Sequence, residues 1–99
     1  MTHISGEGAT DREVMAEIGA RLKALRKAQG MTIAEVAELT EMNKSTVSRA
    51  EAGENPTLLT VLRLLRAFGR VEALDGFIPE PELSPMQLLT ERRTGQGRG

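Results

Sequence analysis

The stretch from Met42 to Thr57 combines polar and charged side chains with almost no apolar ones. Its only sizeable apolar residues are Met42 and Val47, and the others are small, polar or charged. It has few features of a loop before Gly53, so we predict a short helix. A helix that lies in the major groove of DNA must present polar side chains that can form hydrogen bonds with the edges of the bases. The composition of this stretch is suited to such contacts.

Helix-start patterns and apolar spacing predict the elements that would position this stretch. A Thr followed three residues later by Glu, the pattern of a capping box, occurs at Thr10 and again at Thr32. Asn43 and Thr57 are further N-cap candidates. The predicted helices cover about residues 11–29, 33–40, 44–51 and 58–68, and a helix or turn follows at about 71–77.

The chain of 99 residues is long enough for one small domain. We expect a flexible arm at residues 1–10, the domain itself at 11–78 and a C-terminal extension at 79–99. A Ser-Pro-x-Gln pattern in the extension predicts a short sixth helix over about residues 85–92, ahead of a disordered tail. No segment has the period of a strand, so the expected fold is all-α, with short helices packed at steep angles.

Composition argues against several classes of function. The chain has no Cys, its one His is His3 in the expected arm, and its net charge is −1. Disulfides and thiolate metal sites are therefore excluded, and a Cys or His nucleophile is not available in the domain. No phosphate-binding glycine loop, metal-ligand cluster, signal peptide or membrane span is recognisable. We expect a cytoplasmic protein that is not an enzyme and needs no cofactor or metal.

The second and third predicted helices have the features of a helix-turn-helix. A three-residue link joins them, and the small Ala37 lies where two steeply crossing helices would approach each other. The third helix has only Val47 and Ala50 as a narrow apolar stripe. The rest of its surface is therefore free to face outward.

Two longer stretches, RLKALRKAQGMTIAEVAE and NKSTVSRAEAGENPTLLTVLRLLRAFG, carry a resemblance to a known family. From about Ile18 to Phe68 the chain resembles the Cro/phage-repressor type of helix-turn-helix proteins, often called the xenobiotic response element family. The resemblance implies a compact five-helix, lambda-repressor-like domain. It also implies that double-stranded DNA is the partner and that the protein is a sequence-specific transcriptional regulator, which we expect to be a repressor.

Residue roles follow from the same resemblance. The positions that correspond to base contacts in the family are Lys44, Ser45, Ser48 and Arg49. The positions that correspond to contacts with DNA phosphates are Thr32, Asn43 and Thr46. Arg26 and Glu51 match a pair that, in relatives, forms a structural ion pair between the first and third helices.

Two residues depart from the family pattern. The family usually has Gln at the first position of the second helix, where it contacts the DNA backbone, but this chain has Ile33. The family often has Gly in the turn, but this chain has Glu41, whose carboxylate would lie near the DNA backbone unless it turns away. Both departures lower the expected DNA affinity without removing the fold.

The fourth predicted helix is more apolar than one buried face requires, since seven of the eleven residues from 58 to 68 are large and apolar. An uncovered apolar patch on a small domain suggests a subunit interface. We therefore predict a homodimer that reads two half-sites. The residues assigned to its interface are Leu59, Leu62, Leu65, Phe68, Val71, Leu74 and Phe77.

Two other functions stay open at this point. The protein could be the antitoxin of a toxin–antitoxin pair, with a toxin protein bound through the apolar C-terminal segment FIPEPELSPMQLLTERR. That segment could equally be a lid over the chain's own core. The third function is a protein-interaction module that has lost DNA binding, which Ile33, Glu41 and the near-zero net charge favour.

Overall fold

The computed structural model describes residues 8–81 and Met86, and this part of the chain is helical. Its α-helices are α1 (Asp11–Ala28), α2 (Ile33–Thr40), α3 (Lys44–Glu51), α4 (Leu58–Ala67) and α5 (Leu74–Phe77), with a 3₁₀ turn at Val71–Ala73. No strand occurs among the described residues, and the predicted all-α class is confirmed. α2 and α3 have the predicted bounds, whereas α1 and α4 each end one residue earlier.

Some predictions concern parts of the chain that the structure does not describe. The predicted sixth helix over residues 85–92 lies outside the described residues, apart from Met86. The same holds for most of the N-terminal arm and for the end of the chain. The proposed division at residues 10 and 78 therefore stays a prediction.

The first two helices begin at the capping boxes that the sequence predicted. In α2, the Thr32 hydroxyl oxygen accepts a hydrogen bond from the Glu35 N–H at 3.1 Å, and a Glu35 carboxylate oxygen accepts from the Thr32 N–H at 2.9 Å. Thr10 and Glu13 repeat both bonds at the start of α1. Each box satisfies backbone donors that have no partner inside the helix, and this determines where the helix begins.

The apolar core lies between the first four helices. Val36 of α2, Val47 of α3 and Leu64 of α4 are its most completely buried large side chains. Half-buried apolar residues surround it, among them Ile33, which packs against the core. The replacement of the family's Gln by Ile33 therefore contributes to packing at this position.

Phe68 belongs to this core, contrary to the prediction that it forms part of a subunit interface. It is only 3% exposed and packs with Leu64, one turn earlier on the same face of α4. The apolar composition of α4 could not separate its buried face from its outer face. The other residues assigned to the interface are half-buried, as for Leu62 and Leu65, or exposed.

Candidate nucleic-acid interface

A sharp turn between α2 and α3 determines the direction of α3. Glu41, the first residue after α2, has a left-handed backbone with φ of 56° and ψ of 37°. The next N–H, that of Met42, donates to the carbonyl oxygen of Ala37 at 2.9 Å and closes the turn. α3 then begins at Lys44, after a link of three residues. The turn thus redirects the chain within a few residues, which is the geometry of a helix-turn-helix.

One side of α3 is anchored in the core and the other is open. Val47 and Ala50 are completely buried, and Ala37 of α2 is buried beside them, as the small-residue argument predicted. At about 100° per residue, the exposed positions 44, 45, 48, 49 and 52 fall within an arc of about 140° on the opposite side. α3 therefore presents one continuous polar surface to the surroundings, which we call the recognition face.

The residues assigned to base contacts all lie on the recognition face. Lys44, Ser45, Ser48 and Arg49 are exposed. Neither Lys44 nor Arg49 has an ion-pair partner within residues 8–81. Their ammonium and guanidinium groups are thus available to an external acceptor. A major groove offers such acceptors, above all at guanine O6 and N7.

The residues assigned to phosphate contacts differ in their availability. Asn43 is exposed and its side chain makes no hydrogen bond to the start of α3, whereas Thr46 is half-buried. Thr32 is engaged with Glu35 in the α2 capping box, and the hydrogen bonds from its backbone and then its side chain hold the pKa of Glu35 below the usual value. A phosphate at this helix end would therefore meet a carboxylate that already occupies the Thr32 donor.

Arg26 and Glu51 form a bidentate ion pair that joins α1 to the end of α3. The Arg26 Nε donates to one carboxylate oxygen of Glu51, and Nη2 donates to the other at 3.1 Å. A third donor, Nη1, bonds the carbonyl oxygen of Met31 at 2.8 Å. Both side chains are almost fully covered, with 10% and 7% of their surfaces exposed. The hydrogen bonds that Arg26 donates to Glu51 raise the pKa of Arg26 above its ordinary value.

Gly19 and Gly53 allow the backbone of α1 to lie close to the backbone at the end of α3. Neither role was predicted from the sequence. A Cβ added to Gly19 would lie 2.5 Å from the carbonyl oxygen of Glu51, and one added to Gly53 would lie 2.5 Å from that of Met15. Gly53 also has a left-handed backbone, with φ of 73°. The signal that could have revealed Gly19 is its position inside an otherwise regular helix, where glycine usually marks a close approach.

A second surface, away from the recognition face, is apolar. An open groove of about 600 Å³ lies between α1, α4 and α5, with a mainly apolar lining that includes Ile18, Leu25, Val61, Leu65 and Phe77. Elsewhere on α4 and in the segment that follows it, Leu58, Leu59, Val71, Leu74 and Ile78 are exposed. An apolar surface of this kind on a small domain is typical of a protein-binding region.

The described residues hold neither a metal-ligand cluster nor a membrane-spanning helix. No group of three or more His, Asp or Glu side chains in that part could hold a metal ion. No helix there is both long and apolar enough to cross a membrane. A smaller open pocket of about 450 Å³, lined by Leu39, Glu41, Arg63 and Arg66, lies between the end of α2 and α4.

The chain matches a known family of proteins. A family model described as a helix-turn-helix domain matches residues 17–75, which is more than half of the chain. The matched range contains α2, the turn and α3, together with most of α1 and all of α4. No curated protein matches the chain.

Proposed function

We propose that this chain, which belongs to the helix-turn-helix domain family, is a sequence-specific transcriptional regulator that acts as a repressor. Its membership of the family agrees with the prediction from the sequence. The observation that carries the proposal is the recognition face. A helix anchored by two small apolar side chains exposes Lys44, Ser45, Ser48 and Arg49 together, with no partner for either cation in residues 8–81. Such a helix fits the width of the major groove.

Arg49 is the residue on which sequence readout depends most. Its planar guanidinium can donate two parallel hydrogen bonds to guanine O6 and N7, whereas Lys44 acts as a point charge. Ser45 and Ser48 can donate to or accept from either type of base pair. In this proposal Asn43, whose side chain makes no hydrogen bond to the start of α3, contacts a phosphate and orients α3 in the groove.

Replacement of Arg49 tests the proposal directly. The first step is selection of a preferred site from a pool of random duplexes. Arg49→Ala should then weaken binding to that site by about 1–3 kcal/mol and leave binding to random duplex nearly unchanged. Arg63→Ala, which removes another exposed arginine, this one on α4, is the matched control. Equal losses on both kinds of duplex in Arg49→Ala would show a phosphate contact and refute the assignment.

A homodimer is the second part of the proposal. One short helix reads too few base pairs to select a site, whereas two copies on a two-fold axis read half-sites about 34–36 Å apart. The apolar groove and the exposed Leu59, Leu74 and Phe77 supply a surface that a second copy would cover. Sedimentation at tens of micromolar should give a dimer. A monomer that binds the selected site normally would refute this part.

The same groove favours one alternative, in which the protein is an antitoxin and the groove and the C-terminal extension bind a toxin protein. Met86, from that extension, is 73% exposed. In this alternative a toxin-like reading frame lies beside the gene. Deletion of residues 80–99 should then abolish binding of that toxin and leave the affinity for DNA unchanged.

A protein-interaction module without DNA binding is the remaining alternative. α2 carries three acidic groups in or directly after it, Glu35, Glu38 and Glu41, and no basic one. If these carboxylates prevent all contact with DNA, a random duplex should show no measurable affinity even at low salt, where phosphate contacts are strongest.

A further inference from the structure

The open pocket between the end of α2 and α4 has groups of opposite charge in its two walls. Thr40 and Glu41 belong to one wall, at the end of α2 and in the turn that follows it. Arg63 and Arg66 belong to the other wall, on α4. The volume of about 450 Å³ lies within the range of about 300–1,000 Å³ that is usual for small-molecule sites. A ligand of the size of an amino acid therefore fits the space.

The side chains of the α4 wall carry only hydrogen-bond donors. Arg63 and Arg66 are three positions apart, so their side chains are neighbours on one face of the helix. Both are exposed, and within residues 8–81 neither guanidinium has an ion-pair or hydrogen-bond partner. Two like charges on one helix face repel each other, and an anion between them offsets that repulsion. Because the guanidinium fork matches the geometry of a carboxylate, this wall favours a carboxylate group.

The α2 wall provides acceptors instead. The Thr40 hydroxyl donates its proton to the carbonyl oxygen of Val36 at 2.7 Å, so towards other groups it can only accept. The neighbouring Glu41 carboxylate is exposed and accepts no hydrogen bond within residues 8–81. It also forms no ion pair with Arg63 or Arg66, although all three residues line the same pocket. The pocket thus keeps a negative and a positive wall apart, and the negative wall favours an ammonium group.

We propose that this pocket binds a small zwitterion, an α-amino acid with an apolar side chain. The carboxylate of the ligand lies between Arg63 and Arg66, and its ammonium group lies against Glu41. Leu39, which is 59% exposed, and Ala67 supply apolar surface for the ligand's side chain. A phosphate would also satisfy the two arginines, but its charge would repel the Glu41 carboxylate. This ligand site goes beyond the proposed function and does not depend on DNA binding.

Titration of the isotope-labelled full chain, followed by NMR, tests the inference without DNA. The probes are L-leucine, 4-methylpentanoate, which is leucine without its amino group, and 3-methylbutylamine, which is leucine without its carboxylate. Inorganic phosphate is the fourth probe. Leucine should shift the signals of the backbone at Glu41 and of the side-chain N–H groups at Arg63 and Arg66, with a dissociation constant on the order of 1 mM. Each of the other three probes should bind at least about threefold more weakly, because each lacks one of the two complementary charges.

Four variants show which charges bind the ligand. Arg66→Gln should weaken leucine binding by about three- to tenfold, whereas Arg12→Gln, at an exposed arginine of α1, should leave it unchanged. Glu41→Gln should weaken leucine binding by a similar factor and should not weaken the binding of 4-methylpentanoate, which has no ammonium group. Glu38→Gln removes an exposed carboxylate of α2 that does not line the pocket, and it should have no effect.

Several results would overturn the inference. One is the absence of saturable shifts at the pocket residues at leucine concentrations far above the expected dissociation constant. Another is binding of 4-methylpentanoate or phosphate at least as tight as that of leucine, because the pocket would then be a site for simple anions. Equal losses in Arg66→Gln and Arg12→Gln would place the ligand elsewhere on the protein. Since none of these measurements involves DNA, each of these results leaves the proposed function intact.

Discussion

Removal of the Glu51 charge should destabilise the domain more than any other single carboxylate change. Glu51→Gln leaves the Arg26 guanidinium covered, with only 10% of its side chain exposed and no countercharge. Breaking a buried, hydrogen-bonded pair from one side costs about 3–5 kcal/mol. Since about 74 described residues correspond to a total stability of roughly 4–11 kcal/mol, the loss is a large fraction of the whole.

Urea unfolding followed by far-ultraviolet circular dichroism measures this loss. With a denaturant dependence of about 1 kcal/mol per molar for a domain of this size, the unfolding midpoint should fall by about 3–5 M. Glu17→Gln is the matched control, because Glu17 pairs with Arg21 at 3.2 Å one turn along α1, with 33% of its side chain exposed. That pair should contribute no more than about 0.5 kcal/mol. If the two variants unfold at the same urea concentration, the buried-pair reasoning is refuted.

Two further predictions concern the anchoring of the helices. Gly19→Ala should cost about 1–3 kcal/mol, because its Cβ would lie 2.5 Å from the Glu51 carbonyl oxygen, whereas Gly76→Ala, with nothing within 4 Å, should be neutral or stabilising in the same urea assay. The hydrogen bonds from Thr32 lower the pKa of Glu35, so they add stability above the carboxyl's ordinary pKa, and this stability is lost as the pH falls through the lowered value. Unfolding temperatures of Glu35→Gln, measured as the pH falls from about 6 to 3, should therefore decline less steeply than those of the natural chain; identical profiles would contradict the assignment.

Local patterns accounted for most of the fold. The capping box at Thr32 and the glycine after α3 act over three or four residues, so the bounds of α2 and α3 could be predicted without tertiary information. The buried stripe of α3 followed from having only Val47 and Ala50 as candidates. The pairing of Arg26 with Glu51 came from the family resemblance, since residues 25 positions apart give no periodic signal.

Tertiary packing decided what local patterns could not. α4 is apolar around much of its circumference, and only its actual packing shows that Phe68 faces the core while Leu59 is exposed. The backbone-to-backbone approach of Gly19 and Gly53 depends on how α1 crosses α3. The left-handed turn at Glu41 was equally hidden, because glutamate is a poor candidate for that conformation.

The attachment of α3 and its proposed chemistry use different residues. Val47 and Ala50 bury the helix, Glu51 pairs with Arg26, and Gly53 lets the backbone of α1 approach. All of these lie on one side of α3 or directly after it, and none is on the recognition face. The exposed polar side chains therefore make no contribution to core packing. Their identity can be set by the partner that they contact outside the protein. α3 stays attached although it has few apolar residues, because Val47 and Ala50 are fully buried and Gly53 allows close contact with α1. Because these contacts use only one side of the helix, Lys44 and Arg49 remain available to DNA.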